Sequence, residues 1–108
     1  MKKNEIVKKF LALISPSKAR IKYIYLFGSR ARDDWRPDSD YDIFIVVDKK
    51  DRKIVDKFYD AVLDVLLDTG NLISLKIYPL SEFNRLKSLK TPFITNVLKE
   101  GKELGFDD

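Results

Sequence analysis

Two aspartates, Asp40 and Asp42, stand two positions apart at the head of the apolar run Ile43-Phe44-Ile45-Val46-Val47. In an extended strand, residues i and i+2 share a face, with Cα atoms roughly 6–7 Å apart. Two carboxylates held that close repel each other unless a cation lies between them. A divalent ion turns the repulsion into coordination, and Mg²⁺ takes one or two carboxylates and completes its shell with water and phosphate oxygens. Ten residues separate Asp40 from the pair Gly28-Ser29, which follows another apolar run. Gly28 lets a ligand approach the backbone with no β-carbon in the way. Ser29 offers a hydroxyl and a backbone N–H at the start of a short helix, a seat for phosphate. Arg30 and Arg32 have the planar fork that matches phosphate oxygens. Together these types describe a metal–nucleotide site.

Each part also has a plainer explanation. Gly-Ser after a strand is an ordinary turn, and Pro37-Asp38-Ser39-Asp40 is good turn chemistry in any protein. Arg30, Arg32 and Arg36 have Asp33 and Asp34 nearby as surface partners. The conjunction of the parts, in this order, separates a site from a set of turns.

Composition narrows the choice further. The 108 residues contain no Cys and no His. Disulfides, Cys nucleophiles, Ser-His-Asp triads and His-ligated metals are excluded. Any metal must be held by carboxylates, which favours Mg²⁺ or Mn²⁺. With 44% apolar and 35% charged residues the chain reads as globular. Its length predicts one domain, 1–108. The net charge of +4 is compatible with a polyanion ligand. The basic residues are scattered, however, and form no Lys/Arg–aromatic stripe, so nucleic acid ranks last among the partners. The apolar stretch Phe10–Ile14 is too short for a signal sequence, and no run is long enough to span a membrane. A cytoplasmic protein is expected.

The elements that must position the site follow from periodicity. Ile6, Phe10, Leu13 and Ile14 predict an amphipathic helix that stops near Ser15-Pro16. Residues 21–27 predict a strand, 29–34 a short helix, 35–39 a loop and 41–47 a largely buried strand. Asp51 opens a helix whose apolar face is Ile54, Phe58, Ala61, Val62, Val65 and Leu66, ended at Thr69-Gly70-Asn71. Residues 72–78 alternate as a third strand, with Ser74, Lys76 and Tyr78 on its polar face. Ser81 is placed as the cap of a short helix. Thr91-Pro92 opens a last helix that stops at Gly101. The order α-β-α-β-α-β-α-α predicts an α/β (α+β) domain with a small mixed sheet of three to four strands flanked by helices. Phe83, Leu86, Leu89, Phe93, Ile94, Val97, Leu98, Leu104 and Phe106 are many apolar residues for two short helices. Sheet packing takes most of them, and a partner surface or a homo-oligomer is the other use.

The string Gly28-Ser29, ten residues, Asp40-x-Asp42 and an apolar strand resembles the signature of the DNA polymerase β-type nucleotidyltransferases. The small size and the fuller string Gly-Ser-Arg-Ala-Arg…Asp-Ser-Asp-Tyr-Asp resemble the minimal nucleotidyltransferases. The resemblance implies the nucleotidyltransferase fold and the transfer of an NMP from ATP or another NTP to a hydroxyl. It implies Asp40 and Asp42 as catalytic, Mg²⁺-holding residues, with Gly28, Ser29, Arg30 and Arg32 on the nucleotide. It also implies a small helical HEPN-type partner in a toxin–antitoxin pair, whose tyrosine receives AMP. The family adds a third carboxylate from the next strand, and residues 72–78 contain no acid. Lys76 on that strand is either a solvent-facing edge lysine or a direct phosphate ligand. Two readings stand: an active transferase, and a weak or inactive relative that acts by contact with its partner.

Overall fold

A computed structural model describes residues 2–32, 36 and 40–106, with side chains from residue 5 onward except those of residues 29 and 32. The expected loop 35–39 therefore lies mostly outside the described residues, as do Asp33 and Asp34.

The chain runs α1 (Lys2–Ile14), a 3₁₀ turn (Ser15–Arg20), β1 (Ile21–Phe27), α2 (Ser29–Arg32), β2 (Tyr41–Val47), α3 (Arg52–Thr69), β3 (Ile73–Pro79), α4 (Leu80–Ser88), α5 (Pro92–Glu100) and β4 (Lys102–Glu103). The sheet order is β3-β2-β1-β4. β1 is antiparallel to β2 and to β4, whereas β2 and β3 are parallel. A parallel pair needs a long crossover, and α3 supplies it. Its start is fixed by Asp51, whose carboxylate accepts from the Ile54 N–H at 3.0 Å. Its end is fixed by Gly70, which takes the left-handed φ of 77°.

β2 is one of the two inner strands, and Asp42 is its one residue that is not buried. Strand alternation divides the rest between two cores. Tyr41, Ile43, Ile45 and Val47 pack with Phe10 of α1 and Phe58 of α3. Phe44 and Val46 pack with Phe83 of α4 and with Ile94 and Val97 of α5. The Phe44 ring lies within 5.1–6.4 Å of Tyr25, Tyr78, Phe83 and Phe93. Burial of this cluster holds α4 and α5 on the face of the sheet that carries Asp42.

The first helix stops where expected, at Ile14, and the sheet has four strands; the Ser81 cap and the place of Leu66 are corrected. After Ile14 the chain tightens into the 3₁₀ turn, with Pro16 fitting its first positions. α4 begins at Leu80, after the extended Pro79, so Ser81 lies within the first turn and is not the cap. Leu66 is 36% exposed and leaves the buried face of α3. β4 had no sequence signal, being a polar Lys-Glu pair. It exists because α5 returns the chain to β1, where the Leu104 N–H donates to the Ile24 carbonyl at 2.8 Å. Among the described residues no helix is long and apolar enough to cross a membrane.

Candidate active site

Antiparallel pairing sets Phe27 opposite Asp42, so the turn after β1 lands beside the head of β2. Gly28 holds a φ of 75° there, a conformation that costs a β-carbon-bearing residue dearly. The space a β-carbon would fill is taken by the Asp42 carboxylate, whose Oδ2 would be its nearest neighbour. The glycine is therefore required twice, by its dihedral and by the carboxylate seated against it. Asp42 is half-buried. Asp40, the residue next but one before it, is exposed just outside the strand. The turn continues into α2, with the Ala31 N–H donating to the Gly28 carbonyl at 3.1 Å. Ser29 and Arg32 belong to α2, but their side chains lie outside the described residues.

Arg30 is 4% exposed. Its guanidinium sits 4.1 Å above the Tyr41 ring. A buried guanidinium needs compensation, and the aromatic face supplies part of it. Tyr41 belongs to the core on the α1–α3 side, whereas Asp42 points to the opposite face. Arg30 thus ties α2 to the head of β2. Tyr41 as its seat was not read from the sequence.

The next strand carries no acid at the matching position. β3 sets Ser74 opposite Asp42 and Lys76 opposite Phe44, so both share the face of Asp42. Lys76 is exposed. Among the described residues no group of three His, Cys, Asp or Glu side chains comes together.

A cavity of about 240 Å³ opens beside Gly28, lined by Phe27, Phe93, Asn96, Val97 and Glu100. The contribution of α5 was missed at the sequence level. Its signal was the spacing of Phe93, Asn96 and Glu100, which places an aromatic and two polar residues along one side of the helix. A larger cleft, about 480 Å³, follows the outer edge of β3 and includes Lys76 but neither aspartate. The catalytic reading rests on the Asp42–Gly28 geometry, not on cavity size.

The sequence model of the family described as "Polymerase beta, Nucleotidyltransferase" matches residues 9–108. A Methanocaldococcus jannaschii protein with the provisional name protein adenylyltransferase MJ0604 is 38% identical over 105 residues, 96% of this chain and 99% of its own length. Among solved structures, a toxin–antitoxin complex with AMP-PNP aligns with a TM-score of 0.62 at 22% identity, over 93% of this chain and 73% of the other. A complex of a tri-AMPylated Shewanella oneidensis HEPN toxin with its MNT antitoxin aligns at 0.55 and 19% identity, over 99% and 74%. At these identities the structures speak for the fold.

Proposed function

Because the chain belongs to the polymerase β-type nucleotidyltransferase family, we propose that it is a Mg²⁺-dependent adenylyltransferase. The acceptor in this reading is a tyrosine of a small HEPN-type protein, with the chain as the antitoxin of a cytoplasmic pair. The observation that carries the reading is the Asp42 carboxylate seated against Gly28, with Asp40 two residues away. The name of the M. jannaschii relative and the AMPylated toxin in the Shewanella complex support AMP as the group moved.

The donor set fits the metal. Two hard carboxylates, one in a cradle that a β-carbon would fill, suit Mg²⁺ or Mn²⁺, which leave most positions to water and phosphate. When bound, the ion neutralises charge on the triphosphate. Asp40 and Asp42 would hold it, and the Gly28-Ser29 turn beside Asp42 would lie against the phosphates. In the reaction the acceptor hydroxyl oxygen bonds to the α-phosphorus of ATP. The bond to the bridging oxygen breaks, pyrophosphate leaves, and the hydroxyl proton passes to solvent. The protein contributes alignment and charge.

A second reading is favoured by Ser74, which lies opposite Asp42 on the strand from which the resemblance implies a third acid. In it the chain binds nucleotide weakly and neutralises its partner by contact. The test uses α-labelled ATP, Mg²⁺ and a small helical HEPN-type protein, the acceptor class this reading names. Label on that protein, lost in Asp40→Asn and Asp42→Asn, is the transferase result. Unlabelled protein that both variants still bind is the contact result.

A further inference from the structure

β3 is the outermost strand of the sheet, with β2 on its inner side. The Tyr41 N–H donates to the Leu72 carbonyl at 3.1 Å. By strand alternation Leu72, Ser74, Lys76 and Tyr78 direct their backbone groups to β2, and Ile73, Leu75 and Ile77 direct theirs outward. Among the described residues nothing pairs with those outward groups. The 480 Å³ cleft runs along this edge, with Val55 and Tyr59 of α3 on one side and Glu82 of α4 on the other. Tyr59, Leu63 and Leu67, four residues apart, extend the α3 wall as an exposed apolar stripe at 49%, 51% and 76%.

An unpaired edge beneath an apolar wall is a template for an extended chain, whose backbone can replace the water on the edge groups while its side chains cover the wall. Charge selects which chain. Among the described residues lining the cleft, Lys50 and Lys76 stand against the single acid Glu82, so its balance is positive and an acidic strand suits it. A second copy does not, since β3 carries Lys76 and no acid.

Resting on the transferase reading, we infer that the β3 edge is the docking track for the acceptor protein. An extended segment adds there as a fifth strand, with apolar residues under α3 and acidic residues toward Lys76. A residue opposite Ser74 lies on the face of Asp42, two strand spacings or roughly 10 Å away. That span suits a long hydroxyl side chain such as tyrosine and leaves serine short.

The probe is the blocked hexapeptide acetyl-Glu-Val-Glu-Val-Tyr-Val-amide, whose antiparallel register puts Tyr opposite Ser74 and Glu opposite Lys76. It is titrated into the full ¹⁵N-labelled chain while amide exchange is followed. Exchange at Ile73, Leu75 and Ile77 slows at least about tenfold, and the peptide with Lys in place of Glu binds about tenfold more weakly. The surface variant Lys50→Glu/Tyr59→Ser weakens binding by a similar factor, with Mg·ATP affinity and Tm unchanged. Unchanged exchange at the three amides under excess peptide overturns the assignment. So does equal binding of the Lys peptide, or slowing that appears without peptide as the chain is concentrated, which marks β3–β3 self-pairing. Mg·ATP binding is measured alongside. If ATP binds and the peptide does not, the docking track falls and the transferase reading stands. If the peptide binds and ATP does not, the edge remains a docking surface and its role for an acceptor falls with the transferase reading.

Discussion

The Asp42 carboxylate occupies the space that a β-carbon on Gly28 would fill. Sequence positions 28 and 42 are thereby one structural unit, joined through the pairing of Phe27 with Asp42. Gly28→Ala breaks this unit in two ways. It forces a non-glycine residue to a φ of 75°, at about 1–3 kcal/mol. It also pushes the carboxylate off its seat. Displacement of a ligand by an ångström is enough to lower transfer about 100-fold. The expected outcome is a lowered Tm together with weaker Mg·ATP binding, read by thermal denaturation and calorimetry.

Ser74→Asp places an acid opposite Asp42 and on its face. In an active enzyme limited by two carboxylates, the third raises Mn²⁺ and Mg²⁺ affinity, which titration calorimetry reads. Without metal the same change brings like charges together across the strands and lowers stability. A rise in Tm on adding Mn²⁺ that is larger for the variant than for the natural chain is the expected sign.

Arg30→Ala removes the guanidinium from the Tyr41 ring, 4.1 Å away. The loss is about 0.5–2 kcal/mol for the cation–π contact, seen as a lower denaturation midpoint. Arg30→Lys recovers only part of it, because a compact ammonium lacks the planar stacking face.

The acid limb of stability is set in part by Arg20. Its guanidinium pairs with Asp51 and with Asp48, each at 3.0 Å. The Ile54 N–H and then Arg20 hold the Asp51 carboxyl below the usual carboxylate range. For Asp48 desolvation is the largest single effect and pushes upward. The Lys49 N–H and Arg20 together outweigh it, so this carboxyl is also lowered. A carboxyl lowered by folding stabilises above its unfolded pKa, and that stability is lost as pH falls through the folded value. The natural chain therefore loses Tm progressively below about pH 4. In Arg20→Met the Tm at neutral pH is lower and the acid limb is shallower.

Much of this arrangement was readable from residue types. The apolar, β-branched and aromatic runs 21–27 and 41–47 marked the two strands that flank the candidate site, and Asp51 and Gly70 marked both ends of the crossover helix. These signals are local, and local geometry decided the outcome. Three features are tertiary and left no local trace. The two-residue β4 depends on where α5 delivers the chain. The seat of Arg30 depends on Tyr41, eleven positions away. The opposition of Ser74 and Asp42 depends on parallel register, which a thirty-two-residue separation hides.

The most direct measurement runs two incubations side by side, one with α-labelled and one with γ-labelled ATP, each with Mg²⁺ and a small helical HEPN-type protein. Nucleotidyl transfer at Asp40 and Asp42 puts the α-label on the protein and the γ-label in pyrophosphate, and Asp42→Asn abolishes both. Transfer of the γ-label to the protein, or α-label transfer that survives Asp42→Asn in a folded chain, would contradict the account.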